Sequence, residues 1–298
     1  MSTAVATASR LSVAPMMAWT DRHCRFFHRL ISKKALLYTE MVTAPALVLG
    51  GALQLLDFKP EEQPVALQLG GSDPDQLGKA TALGAAHGYH EINLNLGCPS
   101  DRVQSGSFGA VLMTEPDLVR ACLEQMQQAC SAEITVKCRI GVDDQIPEDT
   151  LPKFLAMIEG TGVKRVAIHA RKAWLQGLSP KENRDVPPLD YPLVQEMKCA
   201  FPGLHLSING GVSSLTAAKK HLSAGMDGVM IGRAAYQNPY DLLARVDCEV
   251  FDGEAAPSAE AIAAQMIPYI EAHLKKGGRL HQITRHMFGL FAGQTGAR

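Results

Sequence analysis

The chain has 298 residues, 46% hydrophobic and 20% charged, a balance that predicts one large domain, or one domain with an appendage, around a sizeable buried core. Its net charge of −1 excludes a global attraction for nucleic acid, so any contact with a polyanion has to come from a local patch. The longest apolar stretch, 43–56, is too short to cross a membrane and carries Gln54, and the first ten residues lack the apolar run of a secretory signal, so the expected compartment is the cytoplasm.

In chain order, short β-rich runs recur at 11–14, 36–39, 65–69, 91–94, 134–139, 166–169, 205–209 and 228–231, which makes eight strand candidates. The segments between them carry helical spacing: Val119, Cys122, Leu123, Met126 and Cys130 fall on one stripe, and Leu151, Phe154, Leu155 and Ile158 on another. Eight such units in about 240 residues match a (β/α)8 TIM barrel, although a doubly wound open sheet shares the local alternation. The rhythm then stops. From Ala259 onward only helical patterns remain, with Ile262, Met266 and Ile270 on one stripe, Ile283, Met287 and Leu290 on another, and Pro268 expected to kink or break the first. A boundary is therefore expected near 248–257, dividing a catalytic barrel at 1–247 from an all-helical domain at 248–298. From Ala272 to Arg298 there is no Asp or Glu, while Lys275, Lys276, Arg279, Arg285 and Arg298 are present. Read alone, that tail fits a solvated helix face as well as a polyanion site.

The fourth strand candidate holds the most informative stretch, Glu91-Ile92-Asn93-Leu94-Asn95-Leu96-Gly97-Cys98-Pro99-Ser100. Pairing cannot continue past Pro99, which lacks an N–H, so the Cys98 thiol is expected at a strand tip. None of the seven cysteines shows paired spacing, which argues against a disulfide framework or zinc ribbon. In a barrel all carboxyl tips face one mouth. Here they read Ala14-Pro15-Met16-Met17, Thr39-Glu40, Gln68-Leu69-Gly70, Asn95 to Cys98, Lys137, His169-Ala170-Arg171, Asn209-Gly210-Gly211 and Gly232-Arg233. The last two put bare backbone amides and a guanidinium where barrels hold phosphate, while the absence of Gly-x-Gly-x-x-Gly after the first strand argues against a Rossmann site.

These tips, with Val136-Lys137-Cys138-Arg139, Leu178 to Arg184 and Pro187-Pro188-Leu189, resemble the tRNA-dihydrouridine synthases, and among them the bacterial A-type subfamily. The resemblance spans nearly the whole chain. It implies an FMN-dependent barrel with a helical domain that grips tRNA and NADPH as reductant; no stable protein partner is evident in the sequence. Carried over position by position, it makes Pro15, Met16, Met17, Gln68, Lys137, His169, Asn209, Gly210, Gly211, Gly232 and Arg233 FMN contacts. Asn95, Arg171, Lys181, Arg184 and Arg298 become tRNA contacts, joined as candidates by Arg279 and Arg285. Arg22, Arg25 and Arg29 read as a solvated helix face.

Reducing the C5=C6 bond of uracil needs hydride at C6 and a proton at C5, and a cysteine thiol, protonated at neutral pH yet acidic enough to donate, suits Cys98 to the second task. A cation such as Lys137 beside a flavin ring stabilises the negative charge that reduction brings. The target base has to leave its stack to reach a barrel mouth. The modified position is expected in the D-loop, around nucleotides 20 and 20a. The family's helical domain normally runs on past Arg298, so 248–298 reads as a partial one. A small-molecule flavin dehydrogenase of the dihydroorotate or dihydropyrimidine type shares barrel, phosphate loops and cysteine; the acid-free tail and Lys181 to Arg184 argue against it. A metal-dependent hydrolase would need closely spaced ligands, and the sequence has no His-x-His. A catalytically idle RNA-binding module is the third alternative.

Overall fold

The structure, a computed structural model, describes residues 7–100 and 108–292. Eight parallel strands close into a barrel in sequence order: β1 (Leu11–Val13), β2 (Leu36–Thr43), β3 (Val65–Gly70), β4 (Glu91–Leu96), β5 (Glu133–Arg139), β6 (Arg165–His169), β7 (His205–Asn209) and β8 (Gly228–Ile231). β8 pairs with β1, so no strand edge is left open. This settles the choice left by the local alternation in favour of the barrel over the open sheet. β2 runs longer than its sequence pattern, because a register shift between Tyr38 and Met41 lets it bend and carry Glu40 to the mouth.

The helices between strands begin where sequence and capping chemistry agree. Pro74–Ala86, Pro116–Ala129, Pro147–Gly160 and Tyr191–Ala200 each have proline in their first positions, where no intrahelical N–H bond is lost. Asp73 and Asp190 accept hydrogen bonds from the first-turn N–H groups of two of them. Their apolar stripes, among them Val119, Cys122, Leu123 and Met126, pack on the outer faces of strands in the large sheath core. A second, smaller apolar cluster of Ala14, Leu36, Tyr38, Ala66, Ala167 and Met230 lies inside the barrel. The interior is otherwise polar, and this distinguishes the molecule from barrels filled with branched aliphatics.

Beyond β8 the chain is helical. The helix Ala259–Lys275 runs through Pro268 without the expected break. Pro268 and Ala264, whose carbonyl loses its donor, both face solvent, while Ile262, Met266 and Tyr269 are buried on the opposite side. The Tyr269 ring stacks on Phe26 at 4.0 Å between centroids, and its hydroxyl lies 2.8 Å from His23 Nδ1, which fastens this helix to Arg22–Ile31. Two further expectations are corrected here. Arg25 and Arg29 are buried rather than on a solvated face: Arg25 pairs with buried Glu62 at 2.7 Å, and Arg29 donates to the carbonyls of Glu62, Ser32, Ala35 and Pro64. Among the described residues, no helix is long and apolar enough to cross a membrane.

Candidate active site

The barrel register alone brings most of the sequence-predicted residues together. Asn95 is the strand partner of Lys137, Arg139 of His169, and His169 of Asn209, so the tips of β4 to β7 form a contiguous polar arc. Gln68 pairs in register with Asn93 on the other side of the arc. Gly232 closes the ring beside Met16, whose Sδ would lie 3.8 Å from a Cβ placed there.

Cys98 sits just past β4 in a turn that is pinned from three sides. The Asn95 side-chain oxygen accepts from the N–H groups of Gly97 and Cys98, each at 3.0 Å. Arg139 Nε donates to the Gly97 carbonyl at 2.9 Å, and the Ala110 N–H donates to the Cys98 carbonyl at 2.9 Å. The thiol is half-buried, 3.4 Å from Ser100 Oγ. Arg139, which the sequence shows only as part of Val136-Lys137-Cys138-Arg139, also donates to the carbonyls of Lys172 and Asn183. It therefore joins the Cys98 turn to the 171–190 loop that carries Lys181 and Arg184. Buried Asn183 organises that loop in turn, accepting from the Trp174 N–H and donating to the carbonyls of Trp174 and Leu178.

Electrostatically the arc is positive. Burial, with Arg139 adding to it, pushes the Lys137 ammonium down to about 8. Burial also drives His169 well below its ordinary value, reinforced by Arg139 and Lys137, so its imidazole is neutral at physiological pH. Two buried nitrogens, His169 Nε2 and Arg171 Nε, have no hydrogen-bond partner. Buried polar atoms left unpaired are costly, and a ligand that bonds them would remove that cost. Arg171 otherwise reaches the Pro187 carbonyl.

The glycines after β7 have a steric reason to be there. Gly210 has φ of +105° and Gly211 of +68°, and a Cβ at Gly210 would lie 2.8 Å from His169 Nε2. Tyr191 holds this cradle by donating to the Gly210 carbonyl at 2.6 Å, and Asn209 braces β8 by donating to the Met230 carbonyl at 2.7 Å. Arg233 begins the short helix Arg233–Gln237, but its guanidinium is engaged by Asp185 of the 171–190 loop at 2.6 Å. The β7 and β8 loops thus offer backbone amides at the barrel mouth, with Arg233 tied sideways to Asp185. Met17 is exposed, and the β1 loop that carries Pro15 to Met17 is shaped by Ala18, whose φ is +62° and whose N–H donates to Glu40.

The structure does not bring every expected residue to the mouth. Arg285 binds Asp21 at 2.6 Å, so this cation is engaged in joining the C-terminal segment to the barrel. Arg298 lies outside the described residues. Lys181 precedes and Arg184 ends a single helical turn, Glu182–Arg184, on the loop anchored by Arg139.

The unpartnered nitrogens, the glycine cradle and the half-buried Lys137 suit a planar, anionic, phosphate-bearing cofactor. The family profile of dihydrouridine synthase (Dus) matches residues 12–298. A tRNA-dihydrouridine(20/20a) synthase of Shewanella oneidensis is 56% identical over 289 residues, covering 96% of this chain and 85% of the relative. The protein of that name from Escherichia coli strain K12 is 55% identical over 295 residues, covering 98% of this chain and 84% of the relative. Among solved structures, a 2-naphthoyl-CoA reductase complex superposes with a TM-score of 0.60 at 11% identity, covering 80% of this chain and 50% of that one. An old yellow enzyme homologue from Zymomonas mobilis gives 0.59 at 12% identity, covering 83% and 90%. At such identities these two share the fold.

Proposed function

The chain belongs to the dihydrouridine synthase family, enzymes that reduce uridines of tRNA to 5,6-dihydrouridine, and we propose that it does so with FMN at the barrel mouth and Cys98 as general acid. The observation that carries this reading is the meeting of the pinned Cys98 turn with Lys137 and the unpartnered His169 Nε2 over the Gly210 cradle. Pro15, Met16, Met17, Gln68, Lys137, His169, Asn209, Gly210, Gly211 and Gly232 hold the cofactor, with Arg233 at its phosphate end. FMN bound there supplies hydride for C6 of the base, and NADPH is the reductant that restores it.

The chain's own residues do the rest. Cys98 gives its thiol proton to C5 as C6 gains hydride, and the bonds of Gly97 and Cys98 to Asn95 fix the sulfur's approach. Proximity is the device: a turn held at both N–H and carbonyl cannot drift by the ångström that would cost about a hundredfold in rate. Lys137 would hold the ring with a positive charge beside it, and that charge would favour the anionic form that two-electron chemistry brings, in a partly desolvated setting. Asn95, Arg171, Lys181 and Arg184 meet the flipped uridine and its neighbouring phosphates, with Arg298 a further contact. The helical segment from 248 grips the tRNA, the target lies in the D-loop at nucleotides 20 and 20a, and the enzyme works in the cytoplasm.

The test is spectroscopic. We expect purified protein to be yellow, to bleach with NADPH, and under anaerobic conditions to regain colour on addition of unmodified tRNA. Cys98→Ala is expected to keep the colour and the bleaching while slowing the tRNA-driven recovery by about a hundredfold or more. Recovery driven by a free pyrimidine, and not by tRNA, would overturn the reading.

A further inference from the structure

The polar interior of the barrel contains a single-file chain of hydrogen bonds that ends at Cys98. At its lower end Glu91 is fully buried and bound by Arg165 at 2.6 Å; Arg165 also holds Glu133 at 2.8 Å, and Tyr38 donates to Glu91 at 2.7 Å. Thr135 Oγ1 donates to Glu91 at 2.7 Å, Asn93 Nδ2 to Thr135 at 2.9 Å, and Gln68 Nε2 to Asn93 Oδ1 at 2.9 Å. Asn95 Nδ2 then donates to Gln68 Oε1 at 2.9 Å, and Asn95 Oδ1 receives the Gly97 and Cys98 N–H groups.

Every link points the same way, and chemistry compels it. A carboxylate only accepts, so the one hydroxyl proton of Thr135 has to go down to Glu91, and the hydroxyl accepts from above. Each amide has one donating and one accepting end, so fixing Asn93 fixes Gln68, and fixing Gln68 fixes Asn95. A side-chain amide otherwise has two orientations of similar shape, and the reversed one would turn Asn95 NH2 against two backbone N–H donors.

We infer that Glu91, at the opposite end of this chain from Cys98, is a positioning residue whose carboxylate sets the polarity of this chain and thereby the seating of the Cys98 turn and the presented face of Gln68. The inference deepens the proposed reaction and rests on it for its kinetic arm, but its structural arm does not.

Thr135→Val interrupts the chain and leaves the Glu91–Arg165 ion pair in place; Thr135→Ser restores the hydroxyl. The readout is the rate at which iodoacetamide alkylates Cys98, followed by peptide mass spectrometry, with exposed Cys199 and Cys248 as internal references. Loosening of the turn in Thr135→Val is expected to speed Cys98 alkylation by about threefold or more, with the references unchanged and Thr135→Ser at the wild-type rate. In the kinetic arm, tRNA-driven recovery of flavin colour slows by about tenfold while bleaching by NADPH holds. Should Thr135→Val not fold, Glu91→Gln is read the same way, since Arg165 keeps Glu133. Wild-type alkylation of Cys98 in the folded variant overturns the inference. Faster alkylation in a protein whose wild type does not respond to tRNA supports it and sinks only the proposed substrate.

Discussion

Lys137 is a cation that the fold holds at a cost. Burial and Arg139 push its ammonium down to about 8 from 10.5. Below pH 8 the folded and unfolded chains both carry the charge, and the folded one bears the whole desolvation penalty. Between 8 and 10.5 the unfolded chain binds more protons than the folded one, so stability rises with pH and the penalty fades. Lys137→Met is therefore expected to stabilise the protein at pH 7 by about 1–2 kcal/mol in urea denaturation, with the gain shrinking towards pH 10. The same variant should lose flavin reduction, a stability gain bought with function. A variant no more stable than wild type at pH 7, or equally favoured at both pH values, would refute this. Lys137, His169 and the glycines were legible in the sequence because each lies at or within two residues of a strand's carboxyl end. Arg139 lies on the same face two residues after Lys137, so strand alternation was the available signal for it. Its value was hidden because its partners, Gly97, Lys172 and Asn183, lie 33 to 44 residues away along the chain.

The helix Arg22–Ile31 shows how one residue joins elements. Asp21 caps it, accepting from the N–H groups of His23 at 2.9 Å and Cys24 at 3.0 Å, and its other oxygen takes Arg285 at 2.6 Å and His286 at 3.1 Å. Burial raises the Asp21 carboxyl, but His286, the Cys24 N–H and Arg285 together hold it well below the usual carboxylate range. Cap and clasp separate by mutation. Asp21→Asn keeps an oxygen for the cap and loses the charge that holds residues 281–290. It is expected to cost about 1 kcal/mol, and Asp21→Ala about twice that. Trypsin should cut after Arg279 and Arg285 faster in both variants. Cleavage at the wild-type rate in Asp21→Ala would show that apolar packing of Ile283 and Leu290 alone secures the segment. Helical periodicity made these elements readable, but a charge run does not reveal its partner. That Arg285 also clasps Asp21 was hidden because the two lie 264 residues apart in sequence. Arg25 and Arg29 looked solvated because Glu62 and the carbonyls around it come from other elements.

At the scale of the whole molecule the barrel was readable because each strand carries its own turn and each helix its own stripe. The polar column inside was not, because alternating Glu91, Asn93 and Asn95 resemble the outward face of an exposed strand. Closing eight strands turns that face inward, and the interior then accommodates buried groups that are neutral or paired. Histidines share this fate across the structure. Burial lowers His28 to about 3 and His23 and His205 to about 4, and it lowers His169 and His221 as well. Between pH 6.5 and 4 the unfolded chain takes up protons that the folded one refuses. Stability therefore falls as pH falls, at up to about 1.4 kcal/mol per pH unit for each such histidine. We expect the urea midpoint to drop steeply between pH 6.5 and 5, with more than two protons taken up on unfolding. His28→Gln removes one such group from the fully buried set and should flatten the slope by about one proton's worth whatever it does to stability at pH 7. Because Cys24 Sγ, at 3.6 Å, is the only hydrogen-bonding contact found for the His28 ring among the described residues, its burial is otherwise supported by packing. A slope unchanged by His28→Gln would mean that His28 takes up no extra proton on unfolding, and would refute its role in the acid sensitivity.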